Sequence, residues 1–265
     1  MPPPLLEPLP PHIMSFLDPY LPPSATARTH APDAKLFVTL TYAQSLDSRI
    51  ALGKGLRTHL SGPQSKAMTH YLRSRHDAIL VGVGTAVADD PALNCRYPVR
   101  DGRTVLQASP RPVIVDPNLR SGVNASSKVV RNAKNYEGKP AWLICSSCRA
   151  NQSSDGIEII TVPGLDLQSR YRSWQQIFNT LIDRGIRSVM VEGGAQVIND
   201  LLVLASQDKK NDRDREFVSS LIITIAPTFL GKAGVEVSPA VPVQDVVNDV
   251  SYQQLGNDVV LAAKI

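Results

Sequence analysis

The sequence predicts an α/β domain built on a mostly parallel central sheet with flanking helices and an antiparallel carboxy-terminal hairpin. Three observations predict it. From residue 36 onward, short β-branched runs alternate with segments whose apolar residues recur at helical spacing. Two of those runs end in glycine just where a helix begins. The terminal stretch VSYQQLGNDVVLAAKI alternates around a Gly-Asn pair, the pattern of a two-stranded turn.

Residues 1–33 are proline-rich and read as an extended arm, in which HIMSFLDPYL forms one short amphipathic turn packed on the domain. Residues 34–265 read as a single domain. LFVTLTY (36–42) is the first strand. SGPQSKAMTHYLRSRHD (61–77) is a helix, with Ser61 as its N-cap and a proline two residues on. AILVGVG (78–84), PVIVD (112–116), PAWLIC (140–145) and GIEIITV (156–162) are buried strands. WQQIFNTLIDRG (174–185) is a helix ended by glycine. SVMVEGG (188–194) is a strand, AQVINDLLVLA (195–205) the helix behind it, and LIITIAP (221–227) a late strand. QDKKNDRDREF (207–217) reads as a charged insertion forming a solvated loop.

Composition removes several functions. The 265 residues are 43% hydrophobic and 20% charged, enough to bury a core. The net charge of +4 is scattered, and aromatics are only 5%, so no basic stripe with interleaved aromatics marks a nucleic-acid surface. No apolar run reaches the roughly 20 residues of a membrane span, and the amino terminus lacks the basic start of a secretory signal. Three cysteines make no disulfide framework. CSSC at 145–148 has redox or half-zinc spacing, but the five histidines supply no second pair, so it reads as a strand end and turn, with no metal. A reducing cytoplasmic setting follows.

The chemistry gathers at two strand–glycine–helix junctions, ILVGVGTAVADD and VMVEGGAQVI. Free N–H groups and the helix dipole at such a junction favour an anion, and two side by side can hold the halves of a dinucleotide. The alternative is that the glycines only permit tight turns. GVGTAV does not complete G-x-G-x-x-G, so no Rossmann assignment follows. Thr85 caps a helix, touches phosphate, or both. Asp89 and Asp90 suit either acid–base work or a capped turn. Arg96 grips a phosphate or makes a surface ion pair. Glu192, ending a buried strand, contacts a ligand or caps the next helix.

Together these segments resemble the pyrimidine reductases of riboflavin biosynthesis, which include the stand-alone fungal and archaeal enzymes and the reductase half of the bacterial bifunctional deaminase–reductase. The resemblance is carried by VTLTYAQSLDSRIAL (38–52), HDAILVGVGTAVADDPALNCR (76–96), RPVIVDPNLR (111–120), VMVEGGAQVI (189–198) and LIITIAPTFLGKAG (221–234). Its most specific part is T-x-x-x-D-D-P-x-L-x-x-R followed by V-E-G-G.

The resemblance implies a dihydrofolate-reductase-like fold, a cis Gly193–Gly194 bond, a homodimer, and reduction of 2,5-diamino-6-ribosylamino-4(3H)-pyrimidinone 5′-phosphate by NADPH. Position by position it implies cofactor contacts at Thr85, Asp89, Val162, Gly193, Gly194 and Ala195. It implies substrate contacts at Arg73, Leu93, Arg96 and Glu192, with both arginines on the phosphate, Glu192 positional on the pyrimidine or ribose, and Asp89 positional rather than a proton donor. Two departures stand out: Pro117 replaces a serine that contacts cofactor in the bacterial enzymes, and GKGLRTHL does not follow their tryptophan-containing loop. The zinc-deaminase signature H-x-E…P-C-x-x-C is not found, so reduction without deamination is expected. NADPH against NADH stays open, with Ser146, Ser147 and Arg149 as positional candidates for a 2′-phosphate contact. The rivals are a dihydrofolate-type reductase on the same scaffold and a non-catalytic nucleotide or sugar-phosphate sensor.

Overall fold

The computed structural model describes residues 5–23, 35–99, 101–147, 156–165, 170–210 and 217–265, with the backbone alone at 208–210. Its elements in chain order are α1 (Pro11–Leu17), β1 (Phe37–Ser45), β2 (Arg49–Ala51), α2 (Pro63–Arg75), β3 (Ala78–Gly82), α3 (Val83–Asp89) and α4 (Val105–Ala108). Next come β4 (Arg111–Val115), α5 (Lys128–Lys134), β5 (Ala141–Cys145), β6 (Ile157–Thr161), α6 (Arg170–Asp183) and β7 (Ser188–Gly193). The chain continues through α7 (Ala195–Lys210), β8 (Ser220–Ala226), β9 (Val235–Glu236), β10 (Asn248–Leu255) and β11 (Asp258–Lys264).

Nine strands form one sheet in the order β10-β11-β8-β1-β7-β3-β4-β5-β6. All neighbours from β8 to β6 run parallel; β11 joins β8, and β10 joins β11, antiparallel. The hairpin turns on Gly256 and Asn257, and Gly256 has φ 65°, where a side chain would be strained. Helices cover the middle of the sheet on both sides, so β3 and β5 are buried and apolar at every position rather than alternating. Ala78 and Leu80 of β3 join one core with α6 and α7, while Ile79 and Val81 join another with α3 and α5. Ser173, Trp174, Ile177, Phe178 and Leu181 are the buried stripe of α6, spaced three and four apart. Gly185, at φ 85°, ends that stretch.

The sequence misplaces two boundaries. Gly62, not Ser61, is the N-cap of α2, and its N–H donates to the buried Asp258 carboxylate at 2.9 Å. Residues 207–210 continue α7 instead of opening a loop, and Phe217 is buried against Tyr171 and Phe178. The charged stretch therefore starts in a helix and ends in the core; 211–216 lie outside the described residues.

The amino-terminal segment packs on the domain along residues 5–23. Leu9, Ile13, Leu17, Tyr20 and Leu21 are buried in a third core with α2 and the inner face of β11. Four polar ties fix it. Leu6 N–H donates to the Arg96 carbonyl at 3.0 Å, and Leu9 N–H to the Tyr97 hydroxyl at 3.0 Å. Tyr20 donates its hydroxyl to the Asp249 carbonyl at 2.6 Å, and Arg75 pairs with Asp18 at 2.8 Å. On the opposite face of the hairpin, Val250, Tyr252 and Val259 stay 43%, 64% and 39% exposed.

Candidate active site

A cavity of about 620 Å³ opens at the carboxyl ends of β1, β3, β4 and β7. In the sheet order β7 lies between β1 and β3, and from β3 the chain steps outward through β4 to β6. Such reversal points are where open α/β sheets bind ligands. The β2–β9 ribbon and the loop from Gly53 to Ser61 roof it, with Ile50, Leu56, His59 and Val235 on the wall. Asp47 staples the roof to the scaffold: it accepts from Ser45 Oγ at 2.5 Å and from the N–H groups of Leu230 and Gly231 at 3.0 and 2.7 Å. The Ser45 hydroxyl and then the Leu230 N–H hold its carboxyl down at about 2.

The two glycine junctions meet in this cavity. A Cβ on Gly82 would sit 2.9 Å from Val197 Cγ2, and one on Gly194 would sit 2.9 Å from Thr85 Oγ1. Each junction thus has glycine where a residue of the other approaches. The Gly193–Gly194 bond is cis, and Gly193 has φ 107°. Gly84, Thr85, Gly194, Ala195 and Gln196 line the wall, so the start of the 16-residue α7 faces the cavity with its free N–H groups. Thr85 is not a cap: the strand stops at Gly82, which is the N-cap of α3, and Thr85 stands inside the first helical turn.

The paired aspartates divide. Asp89 lines the cavity; burial raises its pKa, against the pull of Arg57, His59 and Lys128. Asp90, in the left-handed region at φ 40°, turns away and accepts the Lys128 N–H at 2.9 Å at the start of α5. Tyr42, on β1, also lines the wall, and burial pushes its hydroxyl up to about 12, so it stays protonated.

Glu192 reaches the cavity from β7, and Arg73 of α2 holds it from behind. Arg73 Nε and Nη2 donate to the two carboxylate oxygens at 2.8 Å each, and Nη1 donates to the Asn94 carbonyl at 3.0 Å. The side chains are 11% and 18% exposed. Burial alone would lower the Arg73 pKa, but the Glu192 charge and hydrogen bonds raise it overall. Each guanidinium nitrogen makes one bond to a protein oxygen. In this geometry Arg73 clamps Glu192, and one N–H on each of Nη1 and Nη2 is left over for the expected phosphate contact.

Arg96 is not on the cavity wall. It stands two residues from Asn94, whose carbonyl Arg73 holds. Burial and the nearby Arg73 charge lower its pKa. Leu93 has φ 52° and is 1% exposed, so its side chain belongs to the core and only its backbone is available to a ligand. Val162 is likewise a core residue, 5% exposed, with its N–H on the Cys145 carbonyl; Leu165, three residues on, reaches the cavity instead.

Of the 2′-phosphate candidates, Ser146 spends its hydroxyl on the Pro117 carbonyl at 2.7 Å, Ser147 is exposed, and Arg149 lies outside the described residues. Cys145 is buried and disulfide-bonded, Cys95 is free and buried, and Cys148 lies outside the described residues. No group of residues suited to a metal occurs among the described residues, and no described helix is long and apolar enough to cross a membrane.

Sequence reasoning missed Arg120 and Arg170, which both line the cavity. Arg170 is paired with the buried Asp200 at 3.0 Å. Arg120 follows β4, where buried Asp116 accepts the N–H groups of Arg120 and Ser121 at 2.9 and 2.6 Å and curls the loop over the strand ends. The signal was available, because Arg120 closes the quoted run RPVIVDPNLR just past a strand's carboxyl end.

Residues 36–261 match the RibD C-terminal domain family. The 2,5-diamino-6-ribosylamino-4(3H)-pyrimidinone 5′-phosphate reductase of Saccharomyces cerevisiae is 41% identical, over 99% of this chain and 97% of that protein. The enzyme of that name from Debaryomyces hansenii is 40% identical, over 98% and 99%. The solved structure of the S. cerevisiae riboflavin biosynthesis reductase Rib7 superposes with a TM-score of 0.75 at 38% identity, covering 95% of this chain and 98% of that one. The expected dihydrofolate-reductase-like architecture is borne out. With its matched segments in order and its cavity built by the two glycine junctions, the chain belongs to the RibD C-terminal domain family of riboflavin-pathway reductases.

Proposed function

We propose that the chain reduces 2,5-diamino-6-ribosylamino-4(3H)-pyrimidinone 5′-phosphate to its ribitylamino counterpart with NADPH. The observation that carries this is the cavity where two glycine junctions interlock beside a carboxylate fixed by an arginine fork. Its volume falls within the usual range for small-molecule and cofactor sites, about 300–1,000 Å³. Gly84 lines the cavity with nothing within 4 Å of where a Cβ would stand, beside the start of α7, which fits a pyrophosphate laid against backbone N–H groups.

Thr85, Gly194, Ala195 and Gln196 hold the cofactor. Asp89 borders the same stretch of wall. Arg120 has no ion-pair partner among the described residues and is the group to read a 2′-phosphate, which favours NADPH over NADH. Bound nicotinamide supplies a hydride. The substrate's ribosylamine opens to an imine, whose C1′ takes that hydride while the nitrogen takes one proton. The protein's part is placement. Glu192, locked by Arg73, fixes a polar edge of the pyrimidine or ribose, Arg96 takes the phosphate, and solvent supplies the proton. A dihydrofolate-type substrate would bring Arg96 no phosphate to hold.

Residues 34–265 are the reductase domain, and the enzyme is a homodimer. The open apolar face around Tyr252 supports pairing of two copies; light scattering of Tyr252→Asp should then give half the mass of the wild-type particle.

The direct test follows absorbance at 340 nm with NADPH and the fresh ribosylaminopyrimidine phosphate, beside dihydrofolate. Oxidation with the pyrimidine alone is expected. NADPH binding without turnover would favour a sensor, and turnover of dihydrofolate another reductase.

A further inference from the structure

Tyr42 stands near the carboxyl end of β1 and lines the cavity, and none of the cofactor or substrate roles above uses it. Its side chain has a definite side. Val38 and Leu40 of β1 belong to the core under α6 and α7, and Tyr42, two residues on, packs against that same core. Among the described residues no hydrogen bond reaches its hydroxyl, and that oxygen is not sealed in the packing either. It therefore opens into the cavity. Burial holds the phenol at about 12, so it is a neutral group that can donate. A half-buried hydroxyl without a protein partner is ready to take one from a ligand.

The order of the wall along the strand ends says which ligand. Arg120 follows β4, Thr85 follows β3, Gly194 follows β7, and Tyr42 belongs to β1. Those strands lie in the order β4-β3-β7-β1 across the sheet. With a 2′-phosphate read by Arg120 and a pyrophosphate at the two glycine junctions, the nicotinamide end falls at β1. There Tyr42, Ala43, Ile50, Ala51 and Val235 make the wall, and the phenol is the one polar side chain of the five. A nicotinamide has matching chemistry, a flat ring bearing one carboxamide. The faces match as well. Val197 and Leu201 of α7 share Tyr42's core, whereas Met190 of β7 joins α2 on the other face, from which Arg73 holds Glu192. Tyr42 thus stands on the cofactor's side of the strand ends and Glu192 on the substrate's.

We propose that Tyr42 is a cofactor-binding residue whose hydroxyl donates to the carboxamide oxygen of the nicotinamide. This rests on the reading of the cavity as an NADPH site. The contact fixes the rotation of the nicotinamide about its bond to ribose. It thereby selects which face of the ring meets the substrate's C1′.

The deciding variant is Tyr42→Phe, which keeps the ring packed and removes only the donor. Titration calorimetry gives Kd for NADPH and for 2′-phospho-ADP-ribose, which carries every part of the cofactor except the nicotinamide. The NADPH Kd should rise about fivefold in Tyr42→Phe, with that of 2′-phospho-ADP-ribose within about twofold of wild type. An unchanged NADPH Kd overturns the proposal alone, as does an equal rise for both ligands. Wild-type protein that binds neither overturns the NADPH reading and the proposal with it. Should Tyr42→Phe fail to fold, wild-type protein decides with the thionicotinamide analogue of NADPH, whose sulfur is a weak acceptor. That analogue should bind about fivefold more weakly than NADPH; equal affinity overturns the proposal.

Discussion

Arg73 and Arg96 sit in neighbouring environments with Asn94 between them, and their states are opposite. Around Arg73 each guanidinium nitrogen has an acceptor, and the charge is cancelled by Glu192 in a pair that is nearly buried. Around Arg96 only the backbone is satisfied, by His70 on the N–H and Leu6 on the carbonyl, and the guanidinium keeps its charge. Burial raises the stakes of both, but a paired group adds rigidity while an unpaired one adds affinity for whatever completes it. The same residue type thus builds the site in one place and binds in the other.

The contrast breaks most visibly at Arg73. Arg73→Ala leaves a nearly buried Glu192 without its partner, and should cost about 3 kcal/mol or more of stability. Thermal unfolding reads this directly, with activity falling alongside. A variant as stable as wild type that only raises KM would make Arg73 a ligand contact after all. Arg96→Ala should do the reverse: KM for the phosphorylated substrate up about thirtyfold, from loss of a charged hydrogen bond of about 2 kcal/mol, and unfolding within about 0.5 kcal/mol of wild type. A large loss of stability there would erase the distinction between the two.

A third arginine sharpens it. Arg120 resembles Arg96 in having no ion-pair partner among the described residues, so Arg120→Gln should lower the preference for NADPH over NADH about tenfold and leave turnover with NADH unchanged. Equal loss with both cofactors would place it elsewhere.

The smallest effects belong to the aspartate pair. Asp90→Ala removes an acceptor at the start of α5 and should cost about 1 kcal/mol with kcat intact. Asp89 works in the other direction. Its folded pKa is raised above the ordinary 3.8 by burial. The folded protein then binds that proton more tightly than the unfolded chain does. The group's contribution is fully present below pH 3.8 and is lost as pH rises through the raised pKa. At neutral pH Asp89→Asn should stabilise the fold, by less than about 1 kcal/mol because the half-exposed carboxyl is screened. Destabilisation instead would put Asp89 in a structural ion pair.

The strand–glycine–helix pattern was legible because it is local: a buried run, a glycine and a helix start lie within a dozen residues. Both junctions, the parallel sheet and the terminal hairpin follow from it. The start of α3 was misread by two residues, since GVG reads as strand and only packing against Val197 shows that the strand must stop at Gly82. The role of Arg73 could not be read, because its partner is 119 residues away in the chain. Matching by position put both arginines on phosphate, and the structure adds a carboxylate partner to Arg73 alone. Position did identify Glu192, Thr85 and Asp89 as neighbours of one cavity.

The ties of the amino-terminal segment have a consequence for how the chain is made. Tyr20 bonds to Asp249 across 229 residues, and its core partners include Val260 and Ala262 of the last strand. At roughly 5–20 residues per second a ribosome needs about 10 to 45 s to make that span. Residues 5–23 must therefore wait, undocked, until β10 and β11 have been made. Arg96 emerges early in translation, but its carbonyl receives Leu6 only once that docking is complete. The loop assigned to the phosphate is thus finished only after β10 and β11 have emerged, which couples a binding-competent site to synthesis of the hairpin.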